Sequence, residues 1–142
     1  MTAFLVNKLL SWTRKNSLWY FYISGGCCGD ELLQTAGCRY DLERFGCIQK
    51  AEPSQADLLI IHGVVTRKIS NYVKEVYEQM SSPKYVMVLG SCVNSGGLFS
   101  GNMVVNNIQE LFPVDVFVAG CPPRPEAIMS VLIKLQEKII HE

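Results

Sequence analysis

Two runs in this 142-residue chain, Leu58-Leu-Ile-Ile61 and Tyr85-Val-Met-Val-Leu89, carry no charged or strongly polar side chain. Successive strand residues face opposite sides of a sheet, so such a run needs apolar cover on both faces. A parallel sheet flanked by helices supplies that cover; an antiparallel sheet with one wet face does not. The predicted strands are Leu18 to Ser24, Asp57 to His62, Tyr85 to Leu89 and Val114 to Val118. Between the second and third, Thr66 to Met80 has helical periodicity. Ile69, Val73, Val76 and Tyr77 share one side, Lys68, Lys74, Glu75 and Glu78 lie largely on the other, and Pro83 follows. Asp30 to Ala36 and Glu126 to Ile140 are the other interior helices, the last preceded by Pro122, Pro123 and Pro125. The stretch from Arg39 to Pro53 reads as a polar connection. Strand and helix alternating at these spacings predict an α/β fold, a parallel sheet flanked by helices.

The length suits one compact domain, and no repeat or long linker divides it. Residues 1–17 read as an N-terminal amphipathic helix ahead of an α/β domain spanning 18–142. Phe4, Leu5, Leu9 and Trp12 fall near one face of that helix, with Lys8, Arg14 and Lys15 interspersed. Such a face suits a protein neighbour or a lipid surface. Thirteen basic and thirteen acidic residues cancel, which removes the electrostatic case for nucleic-acid binding. The charged fraction of 18% is below the roughly 25% usual in soluble domains, so partner subunits are expected to cover part of the surface. Lys8, Arg14 and Lys15 interrupt any signal-peptide pattern, and no run approaches the roughly 18 apolar residues that cross a bilayer. The expectation is a protein on the cytoplasmic side of the membrane, associated peripherally or through partners.

Six cysteines, at 27, 28, 38, 47, 92 and 121, are unevenly spaced. In a reducing compartment that pattern points to metal or cluster ligation before disulfides. Cys27 and Cys28, Cys92, and Cys121 each follow the carboxyl end of a predicted strand, where open parallel sheets bind their ligands. Four thiolates without histidine suit tetrahedral zinc or an iron–sulfur cubane. Zinc sites usually use paired cysteines separated by two or more residues. Adjacent cysteines converge only if the backbone leaves extended geometry between them, and Gly25, Gly26 and Gly29 permit that. A cluster spreads its iron corners over several ångströms, so the residues favour a cluster over zinc. Cys38 and Cys47 sit at no predicted strand end and are read as small buried hydrophobes. His62 is read as a satisfied core histidine, not a ligand. Asp30 and Glu31 open a helix, where acidic residues suit the helix dipole.

These residues resemble the cluster-bearing B-type subunit of respiratory complex I, a family related to the small subunits of [NiFe] hydrogenases. The resemblance runs through Trp12 to Trp19, Cys27-Cys28-Gly-Asp-Glu31, Arg39 to Gly46, Gln55-Ala-Asp57 and Gly63 to Thr66. It continues through Pro83 to Val86, Gly90-Ser-Cys92, Gly96-Gly97, Pro113-Val-Asp115 and Gly120-Cys121-Pro122-Pro123. It implies a single flavodoxin-like domain in which Cys27, Cys28, Cys92 and Cys121 hold one [4Fe-4S] cluster, the terminal station of an electron chain. It also implies a hydrogenase-like large subunit, a ferredoxin-like iron–sulfur subunit as donor, and membrane subunits that move ions. Arg39, Asp41 and Arg44 would then form salt bridges with the large subunit. Glu31 matches the family motif, and a carboxylate so near the cluster would couple its charge to a proton.

The departures concern the acceptor. Leu32, Leu33, Ser54 and Leu98-Phe-Ser100 stand where quinone-reducing members have methionines, an arginine and tyrosines. Membrane-bound archaeal complexes that oxidise ferredoxin and reduce sulfane sulfur fit these changes, so quinone and sulfane sulfur are both expected acceptors. Energy-converting hydrogenase small subunits space their first two ligands apart, whereas Cys27 and Cys28 are adjacent. A hydrogenase small subunit is the alternative reading, and a flavodoxin-like FMN or nucleotide module is the alternative of another class. The chain contains no P-loop or G-x-G-x-x-G fingerprint to support the latter.

Overall fold

The computed structural model describes residues 2–23 and 25–141. Its centre is a five-stranded, wholly parallel sheet: β1 (Leu18–Ile23), β2 (Cys47–Gln49), β3 (Leu58–His62), β4 (Tyr85–Leu89) and β5 (Val116–Val118). The spatial order β2-β1-β3-β4-β5 is the flavodoxin-like order of doubly wound sheets. Every residue of β3 and of β4 is buried, as the unbroken apolar runs require. Ile60 pairs with Tyr22 on one side and Met87 on the other, so the two runs lie at the middle of the sheet.

Among the described residues five α-helices accompany the sheet: α1 (Thr2–Asn16), α2 (Cys28–Ala36), α3 (Arg67–Gln79), α4 (Ser91–Ser95) and α5 (Pro125–His141). Alternate residues of each strand feed two separate cores. Leu58, Ile60, Met87 and Leu89 pack with Cys28 and Leu32 of α2 and with Ile128, Leu132 and Leu135 of α5. Leu59, Ile61, Val86 and Val88 pack with Val73 and Val76 of α3 and with Ile108 and Phe112. Each fully buried Leu or Ile here stabilises the fold by about 1.5–3 kcal/mol.

Local chemistry sets the helix ends. Thr66 caps α3, its Oγ1 accepting the Ile69 N–H at 3.3 Å. Pro125 begins α5, where a missing N–H costs nothing. Asp115 fastens β4, β5 and α5 together: Oδ2 accepts the Val86 N–H at 2.9 Å and Oδ1 accepts from Lys138 Nζ at 2.7 Å. α1 lies against α5 and runs directly into β1. Leu9 and Trp12 are exposed on it, while the side chains of Phe4 and Leu5 lie outside the described residues.

The structure departs from the sequence expectation at several points, β5 beginning at Val116 where Val114 was expected. A fifth strand, β2, occupies part of the connection expected between Arg39 and Pro53, following a single helical turn at Leu42–Phe45. The segment after β4 forms the short helix α4. Helix α2 begins at Cys28, two residues before the expected Asp30, which places that thiol inside the helix. The end of the first expected strand, Ser24, lies outside the described residues.

Candidate metal centre

Three connections at the carboxyl edge of the sheet bring four thiols together. Cys27 and Cys28 follow β1, Cys92 lies in α4 just after β4, and Cys121 follows β5. Cys27 has right-handed helical dihedrals, φ −60° and ψ −22°, as the residue preceding α2. The backbone thus leaves extended geometry at the cysteine pair, and neighbouring side chains on a helix diverge by about 100° rather than 180°. Cys28 is buried and Cys27 exposed.

The connections are stitched in pairs. Val64 N–H donates to the Gly25 carbonyl at 3.0 Å, tying the loop after β1 to the loop after β3. Gly90 N–H donates to Val118 O at 2.9 Å, while the Ser91 N–H and Oγ both donate to Gly120 O, at 2.9 and 3.1 Å. Glycine is required where the pairs meet. A Cβ on Gly63, at φ +82°, would stand 2.2 Å from the Gly25 carbonyl carbon, and one on Gly90, at φ +89°, would stand 2.6 Å from Cys28 Sγ. A Cβ on Gly97 would come within 3.3 Å of Cys92 Sγ.

The thiols feel one another. Burial pushes the Cys28 thiol up to about 11; Cys27 beside it pushes the same way, and the Gly63 N–H donating to its sulfur pulls back. Cys92 is raised by burial first, then by Cys121 and Cys27. Cys28 therefore neighbours Cys27 and Cys92, and Cys92 neighbours Cys121, so all four belong to one constellation. Among the described residues, no three His, Cys, Asp or Glu side chains close to single-ion distance. One tetrahedral zinc needs its thiolates about 4 Å apart. The donor set is sulfur throughout, with Cys28 beside Cys27 and Cys92 beside Cys121.

The remaining sequence candidates fall elsewhere. Cys47 is buried beside Gln136, as expected of a small hydrophobe, but Cys38 is exposed. The reading of Cys38 as buried is corrected: after Gly37 ends α2, the chain turns outward, with Tyr40 N–H donating to Gly37 O at 3.2 Å. Glu31 is half-buried in the first turn of α2, one helical turn beyond Cys28. Arg44 pairs with Asp41 at 3.5 Å on the exposed surface, and Tyr40 Oη donates to Glu126 at 2.8 Å. His62 is buried as expected, but neither ring nitrogen has a hydrogen-bond partner among the described residues. A cleft of about 630 Å³ lined by Arg67, Asn71, Asn106 and Glu110 contains no cysteine. Just past Gly97, whose added Cβ would stand 3.3 Å from Cys92 Sγ, the chain exposes Leu98 (89% exposed) and Phe99 (59%).

Residues 26–135, which carry all four thiols, match the family described as the 20 kDa subunit of NADH ubiquinone oxidoreductase. The chain belongs to this family. The B-type subunit of NADH-quinone oxidoreductase from Geotalea daltonii is 49% identical over 137 residues, which cover 96% of this chain and 81% of the relative. Its counterpart in Citrifermentans bemidjiense is 47% identical over the same coverage. Among solved structures, a chain of the archaeal membrane-bound sulfane sulfur reductase superposes with a TM-score of 0.88 at 41% identity, covering 94% of this chain and 76% of that one. A chain of an NAD+-reducing [NiFe]-hydrogenase shares the fold at a TM-score of 0.64 and 15% identity, covering 86% of this chain and 92% of that one. The chain is thus an oxidoreductase subunit of complex I-like type, with relatives in multi-subunit respiratory complexes. Among the described residues no helix is long and apolar enough to cross a membrane.

Proposed function

We propose that Cys27, Cys28, Cys92 and Cys121 hold one [4Fe-4S] cluster, through which the chain passes electrons to an acceptor site shared with a large subunit. The observation that carries this is the all-sulfur constellation at the carboxyl edge, assembled from three connections and fitted by glycines against two of the sulfurs. Bound there, the cluster would supply one-electron transfer. The chain's own residues fix the thiols on α2, α4 and the β5 loop, and the Gly63 N–H donates to the Cys28 sulfur. Burial of Cys28 and Cys92 keeps water from one side of the centre, while exposed Cys27 and Cys121 face outward.

The exposed Leu98 and Phe99, which follow Gly97 beside Cys92, give the large subunit an apolar surface to cover. Arg39, Asp41 and Arg44 extend that contact with charges. A ferredoxin-like subunit delivers electrons, and membrane subunits hold the assembly at the cytoplasmic face, with α1 toward them. The acceptor is a quinone or sulfane sulfur; the similarity to the sulfane sulfur reductase chain supports the second. Glu31 takes up a proton when the charge beside it becomes more negative. Glu31→Gln should flatten the pH dependence of the potential; an unchanged slope would remove that role.

Anaerobic purification of the complex followed by iron and sulfide analysis tests the central reading. Roughly four of each assignable to this chain supports it. Zinc or FMN in their place would replace it with a structural-metal or flavin-binding function.

A further inference from the structure

Four of the five residues of β3 are aliphatic, and the fifth, at its carboxyl end, is His62. The side chain is 1% exposed, and neither Nδ1 nor Nε2 has a hydrogen-bond partner among the described residues. Burial pulls the imidazole's pKa below its usual value. The neutral ring carries one N–H donor and one bare acceptor nitrogen. Leaving a buried donor unmet is destabilising, a cost that Leu or Phe at this position would avoid. Tyr22 stacks on the ring with centroids 5.8 Å apart and planes at 25°, but stacking covers a face, whereas hydrogen bonds leave from the edge.

The surroundings identify what the edge is for. Strand alternation puts His62 on the same face as Leu58 and Ile60, in the layer that contains Cys28, Leu32 and Leu89. Gly63, the next residue, gives its N–H to Cys28 Sγ. Across the sheet His62 pairs with Leu89, and the following residue, Gly90, is the one whose Cβ would stand 2.6 Å from that sulfur. The imidazole therefore sits between two backbone segments that both touch Cys28.

We infer that the ring N–H of His62 is a donor reserved for the sulfur-bearing group held by the four cysteines, which makes His62 a positioning residue that tunes its reduction potential. The inference rests on the cluster reading. A donor aimed at thiolate or sulfide favours the more negative, reduced state and so raises the potential.

The test uses the anaerobically purified complex. His62→Phe keeps a ring against Tyr22 and removes both nitrogens; His62→Gln keeps one side-chain N–H. In redox titrations followed by electron paramagnetic resonance, the Phe variant should hold full iron and sulfide with its midpoint shifted to lower potential, and the Gln variant should fall between it and the parent. An unchanged midpoint in a fully loaded Phe variant would overturn the inference and leave the cluster reading intact. A parent complex without iron would overturn both. Should the Phe variant fail to assemble, pulsed resonance of the parent and the Gln variant, both labelled with 15N-histidine, decides. A ring-nitrogen coupling to the reduced centre that disappears in the Gln variant supports the role, and its absence from the parent refutes it.

Discussion

Gly63→Ala is the substitution through which the fold and the site fail together. At φ +82° an alanine adopts a left-handed conformation that costs about 1–2 kcal/mol. Its Cβ would also stand 2.2 Å from the Gly25 carbonyl carbon and 2.3 Å from the oxygen, both backbone atoms that no rotamer change can move. Restoring ordinary contact at 3.4 Å displaces the Gly25–Gly26 backbone by about 1.2 Å. That movement breaks the 3.0 Å bond from Val64 N–H to Gly25 O, worth about 1 kcal/mol, and carries Cys27 and Cys28 with it. The combined loss of about 2–3 kcal/mol is a large part of the roughly 5–15 kcal/mol that holds a domain together. Urea unfolding of the purified chain should show a lower midpoint at an unchanged slope, and the assembled complex should lose iron. Gly101→Ala is the control: its Cβ would meet nothing nearer than Phe99 O at 4.0 Å, so both readouts should stay at the parent's values. A Gly63→Ala chain with parental midpoint and iron content would refute the stitching of these two loops as the device that places the cysteine pair.

Other outcomes follow from the same structure. Serine at Cys27, Cys28, Cys92 or Cys121 should each lower bound iron, whereas Cys38→Ser, at an exposed thiol outside the constellation, should leave iron analysis unchanged. Asp115→Ala leaves the Val86 N–H without its partner and should cost about 1–3 kcal/mol in urea unfolding. Lys138→Ala, which removes the partly exposed ion pair to Asp115, should cost under about 1 kcal/mol. Burial raises the Cys47 thiol from 9.0 to about 12, so the folded state keeps a proton that the unfolded chain releases above pH 9. Its stabilising effect is complete below pH 9 and is lost as pH rises toward 12; unfolding measured across that window should show a shallower alkaline decline in Cys47→Ala.

The parallel sheet was legible because β3 is an unbroken apolar run that only a doubly covered strand can bury and because strands alternate with helices along the chain. β2 was not legible: three residues, two of them exposed at the sheet edge, offer no alternation to read, and they lie between Gly46 and Lys50. The four cysteines could be grouped because each follows a strand end, a relation that survives small errors in strand boundaries. Cys38 and Cys47 look alike in sequence, and only the outward turn after Gly37 and the inward edge strand separate them. His62 was legible as buried but not as unpartnered, since an apolar run reveals where a side chain goes and nothing about what meets its nitrogens. The only hint was a histidine closing an otherwise aliphatic strand.

Mössbauer spectroscopy of the complex, grown on 57Fe and purified without oxygen, reaches the central claim most directly. Comparing the parent with Cys92→Ser removes the other subunits' iron from the question. The difference spectrum should be that of a single four-iron, sulfur-ligated centre. A null difference with all four thiols free, or with zinc in their place, would contradict it.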